Sequence, residues 1–289
     1  MEYVQKSFDE GHTLVYAWFS AMHTRVDIAL WTNENHSKQE RSNDSHSDVS
    51  QSDYLPSIVA NIQQEVKRVE AFANRFDPDS ELSLINRMAF EHPVTVSEEL
   101  FALLTECMAY TPLTLGYFDI TINSSNGFKD GIRNIITDEA QHTIRFLHPD
   151  VQLDLSGYIK GYVLRAIRNM LKQEGISNAL INMGNSSILA LGNHPHGEGW
   201  KISLPRPAST GETNETNDFL LHNECLTTSG NRPGNQWPVL NPLTREATQR
   251  SAPVSVRTTD PALGEVLSTA LYLADEKNTV LILKHTLSD

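Results

Sequence analysis

Cysteine is nearly absent: Cys107 and Cys225 are the only two in 289 residues. They lie far apart, fit no metal-ligand spacing, and read as buried thiols rather than a disulfide. Positive charge is also short, with 23 Lys and Arg against 36 Asp and Glu, for a net charge of −13. So acidic a chain is poorly suited to nucleic acid or an anionic membrane surface as its main partner. A phosphate ligand stays open, because a metal ion or backbone amides can supply local positive potential. No apolar run is long enough to span a bilayer. Met1-Glu2-Tyr3-Val4-Gln5-Lys6 lacks the charged-then-apolar layout of a signal peptide, so the chain as written is expected in the cytoplasm. There is no Ser-His-Asp arrangement, HExxH, CxxC or short fixed repeat, and the reaction classes resting on them find no support.

What is present is an ordinary globular composition, 39% apolar and 20% charged, read as a single domain over 1–289. Two polar stretches, Asn33–Asp53 and Pro205–Asp218, are expected as flexible surface insertions. His36 and His46, in the first, read as solvated rather than as metal ligands. Val26, Ile28 and Leu30 alternate as in a half-buried strand within Tyr16–Leu30, which reads as two strands or one bent one. Ile58, Ile62, Val66, Val69 and Phe72 predict a helix over Pro56–Arg75, with Pro56 in its first turn. Val96–Pro112 predicts another helix, capped by Ser97 or Thr95. Gly116–Thr121 reads as a turn and a strand. Ala179–Ser187 reads as a buried strand ending in a polar turn, Trp200–Leu204 and Phe219–Cys225 as hairpin partners, Val254–Val256 as a strand and Pro261–Leu273 as a helix. Hairpins mixed with helices, without strict strand–helix alternation, favour α+β over a doubly wound parallel sheet.

Three stretches carry candidate chemistry. Leu153–Val163 reads as a strand end, a glycine-punctuated turn and a helix start, with a C-terminal stop at Gly175. Free amides at such a turn suit an anion, with Lys160 adding charge; a turn that merely needs glycine dihedrals has the same pattern. Gly184-Asn185-Ser186 follows a buried strand, where ligands often sit, but an ordinary turn looks alike. Glu265, Ser268 and Thr269 stand at i, i+3 and i+4, so one helix face carries three oxygen donors suited to a hard cation such as Mg²⁺. An exposed carboxylate beside a capped turn reads the same way.

Taken in order, these pieces resemble the ApbE-like flavin transferases (FAD:protein FMN transferases), from about Met22 to Ala274. Met22-His23-Thr24 resembles the family's Met-Gly-Thr. Ser80-Glu81-Leu82-Ser83-Leu84-Ile85-Asn86 resembles Ser-Glu-Leu-Ser-x-Leu-Asn, and Gly116-Tyr117-Phe118-Asp119-Ile120-Thr121 resembles Gly-x-Phe-Asp-Pro-Thr. Leu153–Val163 resembles Leu-Asp-Leu-Gly-Gly-Ile-Ala-Lys-Gly-Tyr-Ala. Thr228-Ser229-Gly230 with Asn241-Pro242-Leu243-Thr244 resembles Thr-Ser-Gly followed by His-x-x-Asp-Pro-x-Thr-Gly. Glu265–Leu271 resembles Asp-Ala-Leu-x-Thr-Ala-Leu. Single motifs are loose, but six in one order are specific.

The resemblance implies a two-lobed α+β fold of mixed and antiparallel sheets packed with helices. It implies Mg²⁺-dependent transfer of FMN from FAD to a Thr or Ser of an acceptor flavoprotein. Carried over, FAD would contact Met22, Phe76, Tyr117, Phe118, Asp119, Lys160, Ala166, Gly184 and Leu240. The metal would take the carbonyl of Val163 and the side chains of Glu265, Ser268 and Thr269. Departures from the family pattern are equally specific. Its catalytic-loop His falls on Pro238 and its Asp on Asn241, while the metal-binding Asp is Glu265, one methylene longer. The family's Asn-x-Gly-Gly-Asp turn reads Asn182-Met183-Gly184-Asn185-Ser186, and its Met-Gly-Thr glycine is His23. The chain also stops soon after Leu283, where the family usually adds a strand. The alternative expectation is therefore a catalytically impaired flavin- or nucleotide-binding protein of the same fold.

Overall fold

A computed structural model of the chain describes residues 2–8, 12–33, 51–125, 128–129, 131–205, 216–230, 239–248, 250 and 252–287. Among them are twelve strands and six helices. The chain divides into two compact units, one of Met1–Arg68, Lys160–Thr227 and Arg257–Gly264, the other of Val69–Ile159, Thr228–Val256 and Glu265–Asp289. The mixed architecture with antiparallel sheets bears out the α+β expectation.

The seven-stranded sheet is built on β1 (Glu2–Phe8), β2 (His12–Ala21), β3 (Thr24–Asn33), β7 (Asn178–Met183), β8 (Ser187–Leu191), β11 (Glu224–Ser229) and β12 (Val254–Thr258), in that spatial order, and the first unit holds it up to Thr227 of β11, with Arg257 and Thr258 of β12. Neighbours from β1 to β11 run antiparallel. Register places Ala17, Ile28, Ile181, Leu189 and Cys225 in one line across five strands, all buried. This is the period-two alternation that fixes which face a strand buries. Burial pushes the Cys225 thiol up to about 12, so it is an inert core group, and Cys107 is likewise buried. The opposite sheet face carries Ile188, Ala190 and Leu226, covered by Trp200, Leu204 and Leu221 of the hairpin β9 (Trp200–Pro205) and β10 (Thr216–Leu221). Two helices of this unit, α1 (Gln51–Ala73, up to Arg68) and α4 (Ile159–Gln173, from Lys160), bury Ile58, Ile62 and Val66, and Val163, Ile167 and Leu171, at helical spacing. Gly175 ends α4 with φ +71, while its N–H bonds the Lys172 carbonyl (3.2 Å) and that of Ile176 bonds Leu171 (2.8 Å), a Schellman closure.

The second unit holds β4 (Val94–Thr95), β5 (Ile135–Asp138) and β6 (Thr143–Phe146) in the order β4-β6-β5, with α2 (Glu81–Met88), α3 (Glu98–Leu113), α6 (Glu276–Leu287) and the larger part of α5 (Pro261–Leu273). Ser80 caps α2 by accepting from the Ser83 N–H (3.0 Å), and Ser97 caps α3 by accepting from Leu100 (3.3 Å). Asn86 then reaches 67 residues along the chain. Its Nδ2 donates to the Leu153 carbonyl (3.0 Å) and its Oδ1 accepts from the Leu153 N–H (2.7 Å). Next to it the buried Asp154 carboxylate accepts from Arg75 (2.8 Å), from the Asn123 amide and from the Ser156 N–H (2.8 Å). These two residues hold the approach to α4.

Several expected elements differ. The first helix starts at Gln51, so Pro56 stands inside it, and residues 51–53 leave the expected insertion. At the sixth position of the helix, past the N–H groups that a helix start leaves unpaired, Pro56 gives up one intrahelical bond. Phe219–Cys225 is not one strand: β10 ends at Leu221, Asn223 turns with φ 54, and β11 pairs with β8. Gly116–Thr121 forms turns without a strand, because Asp119 accepts from both the N–H and the hydroxyl of Thr121 (2.7 Å each) and closes an Asx turn. Residues 34–50 and 206–215 of the expected insertions, with His36 and His46, lie outside the described residues.

Outside any motif, a tight turn brings His194 and His196 to 5.5 Å between ring centres. The His196 N–H bonds His194 Nδ1 (3.2 Å), and burial, then the charge of His196, lower the His194 pKa. The folded turn resists a proton that the unfolded chain binds. Its contribution to stability is complete above the unfolded value of about 6.5 and is lost as pH falls through the lower folded value. Imidazole titration by NMR should place His194 below 6.5, and His196→Ala should move it part of the way back. Removing the Asp154 carboxylate has a larger expected effect. Asp154→Ala leaves Arg75 without its buried partner and should cost about 3 kcal/mol in urea unfolding.

Candidate functional site

Each unit carries part of the expected site. In the first, β2 and β3 join through Met22 and His23 alone, with Ala21 opposite Thr24. Both turn residues have positive φ, 50° and 56°, as a type I′ hairpin requires. That requirement explains a glycine at the second position, and here His23 occupies the left-handed region at a steric cost. Three residues, Gly184 to Ser186, join β7 to β8 beside this hairpin. The Gly184 N–H donates to the Arg25 carbonyl (3.0 Å). A Cβ on Gly184 would stand 2.1 Å from Thr24 Oγ1, and φ is +66, so the position excludes a side chain twice over. Asn185, also at positive φ, donates its N–H to Asn182 Oδ1 (2.8 Å) and accepts from Asn182 Nδ2 (2.7 Å).

Lys160 comes to the same sheet end from the first turn of α4, and its ammonium donates to the Ser186 hydroxyl. Among the described residues no carboxylate forms an ion pair with it. The ammonium is therefore held in place but not neutralised. Met22, Lys160 and Gly184 are thus brought together, with Thr24 and Ser186, which the matched stretches contained without a role, as contributors. Val163 and Ala166 follow Lys160 on α4 at three-residue steps, and Val163 is fully buried. Its carbonyl belongs to the helix ladder, which leaves one lone pair for any further partner.

The stretch before α4 does not match its expected anion cradle. Leu153–Leu155 form no strand. The Ser156 N–H is spent on Asp154, and those of Tyr158 and Ile159 on the Leu155 carbonyl (2.9 Å each). Gly157 has no positive φ and open space around a would-be Cβ, so glycine dihedrals are not what the turn needs. Lys160, not the backbone, is the anion-directed group here.

In the second unit, Phe76 is 68% exposed, a flat apolar surface with the Arg75 guanidinium 5.1 Å from its ring centre. Tyr117 and Phe118 are buried. The Tyr117 hydroxyl receives the Asn278 amide (3.2 Å), and the Phe118 N–H donates to Thr114 Oγ1 (3.2 Å). Leu240 pairs with Ala247 across a small loop, which docks on this stretch. Leu243 comes within 3.1 Å of a Cβ placed at Gly116, and Arg245 donates to the Ser124 carbonyl (2.7 Å). Asn241 Oδ1 accepts from the Leu243 N–H (2.9 Å). Asn keeps the turn that an Asp would make there but cannot serve as a base. Pro238 lies outside the described residues.

On α5 the expected shared face holds. Glu265 is 5% exposed, Ser268 is fully buried, and the Ser268 hydroxyl donates to the Glu265 carbonyl (3.2 Å). Ser229, at the end of β11, adds a third hydroxyl, 2.9 Å from Ser268 Oγ and 3.3 Å from Thr269 Oγ1. Its only sequence signal was the Thr-Ser-Gly match. Among the described residues no group of three or more His, Cys, Asp or Glu side chains is placed to hold a metal. One carboxylate with hydroxyls is instead an all-oxygen donor set of the kind a hard divalent cation takes, completing its shell with water or phosphate. Arg250 steadies the far end of α5, donating to the carbonyls of Leu271 (3.0 Å) and Tyr272 (3.4 Å).

A profile described as the ApbE family matches residues 22–288. A protein named FAD:protein FMN transferase from Chlamydia muridarum (strain MoPn / Nigg) is 27% identical over 254 residues, covering 76% of this chain and 77% of its own. One of the same name from Klebsiella pneumoniae (strain 342) is 24% identical over 245 residues, covering 74% and 75%. The solved flavin transferase ApbE from Vibrio cholerae shares the fold with a TM-score of 0.74 at 18% identity, over 93% of this chain and 89% of that one. The apo form of Pseudomonas stutzeri flavinyl transferase ApbE gives 0.74 at 17%, over 97% and 89%.

The two turns beside Lys160 predict opposite effects for glycine. His23→Gly relieves a left-handed non-glycine residue and should stabilise by about 1 kcal/mol. Gly184→Ala forces a Cβ into Thr24 and should destabilise by about 2 kcal/mol or more. Urea midpoints of both variants, read together, check the pair of signs.

Proposed function

The chain belongs to the ApbE family, and on that premise we propose that it transfers FMN from FAD to a Thr or Ser hydroxyl of an acceptor protein, with Mg²⁺ as cofactor. The acceptor oxygen attacks the FMN phosphorus, the P–O bond to AMP breaks, and the hydroxyl proton leaves to solvent. Relatives matched over about three quarters of the chain carry the name of that activity. The observation that carries the reading is Lys160, a cation with a neutral hydroxyl partner in a chain of net charge −13. Its charge remains available to a pyrophosphate.

Lys160 binds and orients the phosphates. On the first unit, the Met22–His23 and Gly184–Ser186 turns bring backbone close to those phosphates. On the second, exposed Phe76 is a ring face suited to stacking on a flavin or adenine. On the second unit, Glu265 and Thr269 would hold Mg²⁺. When bound, Mg²⁺ neutralises charge that develops on the leaving phosphate.

A second reading, FAD binding without transfer, draws on Asn241, whose amide serves a turn and has no basic lone pair to offer a proton. One experiment separates the two. The chain is incubated with FAD, Mg²⁺ and a Thr-bearing acceptor peptide, and peptide mass and flavin fluorescence are followed. Transfer adds an FMN phosphoester to the peptide and releases AMP, whereas quenched flavin with unmodified peptide leaves binding alone. Lys160→Ala should weaken FAD about tenfold or more in either case, the scale of one charge-assisted bond of 1.5–3 kcal/mol. Unchanged FAD affinity in that variant removes the phosphate role.

A further inference from the structure

We propose that Ser229 is a positioning residue for the cation site, one that turns the lone pairs of Thr269 outward by taking its proton. The inference rests on the metal reading of α5 given above. It comes from counting hydroxyl protons, since each hydroxyl has one to give and two lone pairs to receive with. Ser268 is fully buried, and we place its proton on the Glu265 carbonyl at 3.2 Å, the one contact there in which only Ser268 can donate. At 2.9 Å, the Ser229–Ser268 contact must then be a bond in which Ser229 donates and Ser268 accepts. With its own proton spent, Ser229 can only accept across the 3.3 Å contact to Thr269. The chain runs Thr269 O–H to Ser229 O–H to Ser268 O–H to the Glu265 carbonyl.

The polarity of this chain has a chemical consequence. A threonine hydroxyl ligates a cation through a lone pair, and its proton must point away from the charge. Ser229 supplies the acceptor that fixes the proton there. The backbone carbonyl at the far end also anchors the relay to the residue whose carboxylate shares the site. Ser268, buried within the relay, transmits the orientation from Glu265. Partners of this kind, hydrogen-bonded to a ligand and not to the metal, change metal affinity by roughly 10- to 100-fold when removed.

The test uses Mn²⁺, a spectroscopic stand-in with the same preference for oxygen ligands. Mn²⁺ affinity of the full chain is measured by electron paramagnetic resonance, with thermal unfolding alongside, for wild type, Ser229→Ala, Ser229→Thr and Glu265→Gln. Wild type binds, and Glu265→Gln abolishes or strongly weakens binding. Ser229→Ala should weaken Mn²⁺ by about 10-fold while Ser229→Thr, which keeps the hydroxyl, restores most of it. Equal affinity in Ser229→Ala and wild type overturns the proposal and leaves the metal site standing. Equal weakening in Ser229→Ala and Ser229→Thr, in step with lowered unfolding temperatures, also overturns it, since packing rather than the proton chain is then at work. If wild type itself takes no Mn²⁺, the proposal and the metal reading fall together, and FAD titration without metal then shows whether the flavin reading survives.

Discussion

A buried carboxylate governs how the chain enters its most informative helix. Asp154 accepts three hydrogen bonds, from Arg75, Asn123 and the Ser156 backbone, while Asn86 clasps both backbone groups of Leu153 beside it. A carboxylate taken out of water is tolerable only when its oxygens are satisfied in this way. The turn Ser156–Tyr158 and the start of α4 follow from it, and α4 carries Lys160, Val163 and Ala166 at fixed spacing. Asn86 closes the motif that begins at Ser80. The motifs spanning 80–86 and 153–163 are therefore two halves of one clamp, and their shared presence in the sequence has a mechanical reason.

Motif residues of this chain divide into those that spend their polar atoms on backbone and those that carry other chemistry. Ser80, Asn86, Asp119, Asp154 and Asn241 all spend their polar atoms on turns, caps or clasps. Gly184 is there because Thr24 leaves no room for more. Lys160, Phe76 and the Glu265–Thr269 face remain as groups with chemistry to offer. Loss of an acid or base at position 241 consequently leaves the turn there intact, because an amide oxygen closes the Asx turn as well as a carboxylate does.

Local periodicity made much of this legible. The i, i+3, i+4 spacing of Glu265, Ser268 and Thr269 fixes a shared helix face wherever the helix goes, and α5 keeps the bounds its pattern predicts. Gly175 marks the end of α4 for an equally local reason. Strand pairing was less legible, since nothing near Leu221 announces that β10 ends and that β11 joins β8 instead. The expected amide cradle before α4 failed for the same cause. Whether an amide is free depends on Asp154, and what Asp154 does is set by Arg75, 79 residues away. Ser229 and Ser186 stood in matched stretches, but their partners were hidden, because a hydroxyl acquires a role only from what folding brings within 3 Å or so.

The hydroxyl that holds Lys160 also sets how the turn responds to acid. A carboxylate at position 186 would pair with the ammonium only once ionised, above about pH 4, and from there up would offset its charge. Ser186 has no proton equilibrium in the range where proteins work. Its bond to Lys160 therefore needs no ionised partner and sets no negative charge beside the ammonium. An alcohol where the family pattern has an acid leaves the ammonium's charge uncompensated by its partner, in a chain whose net charge is −13.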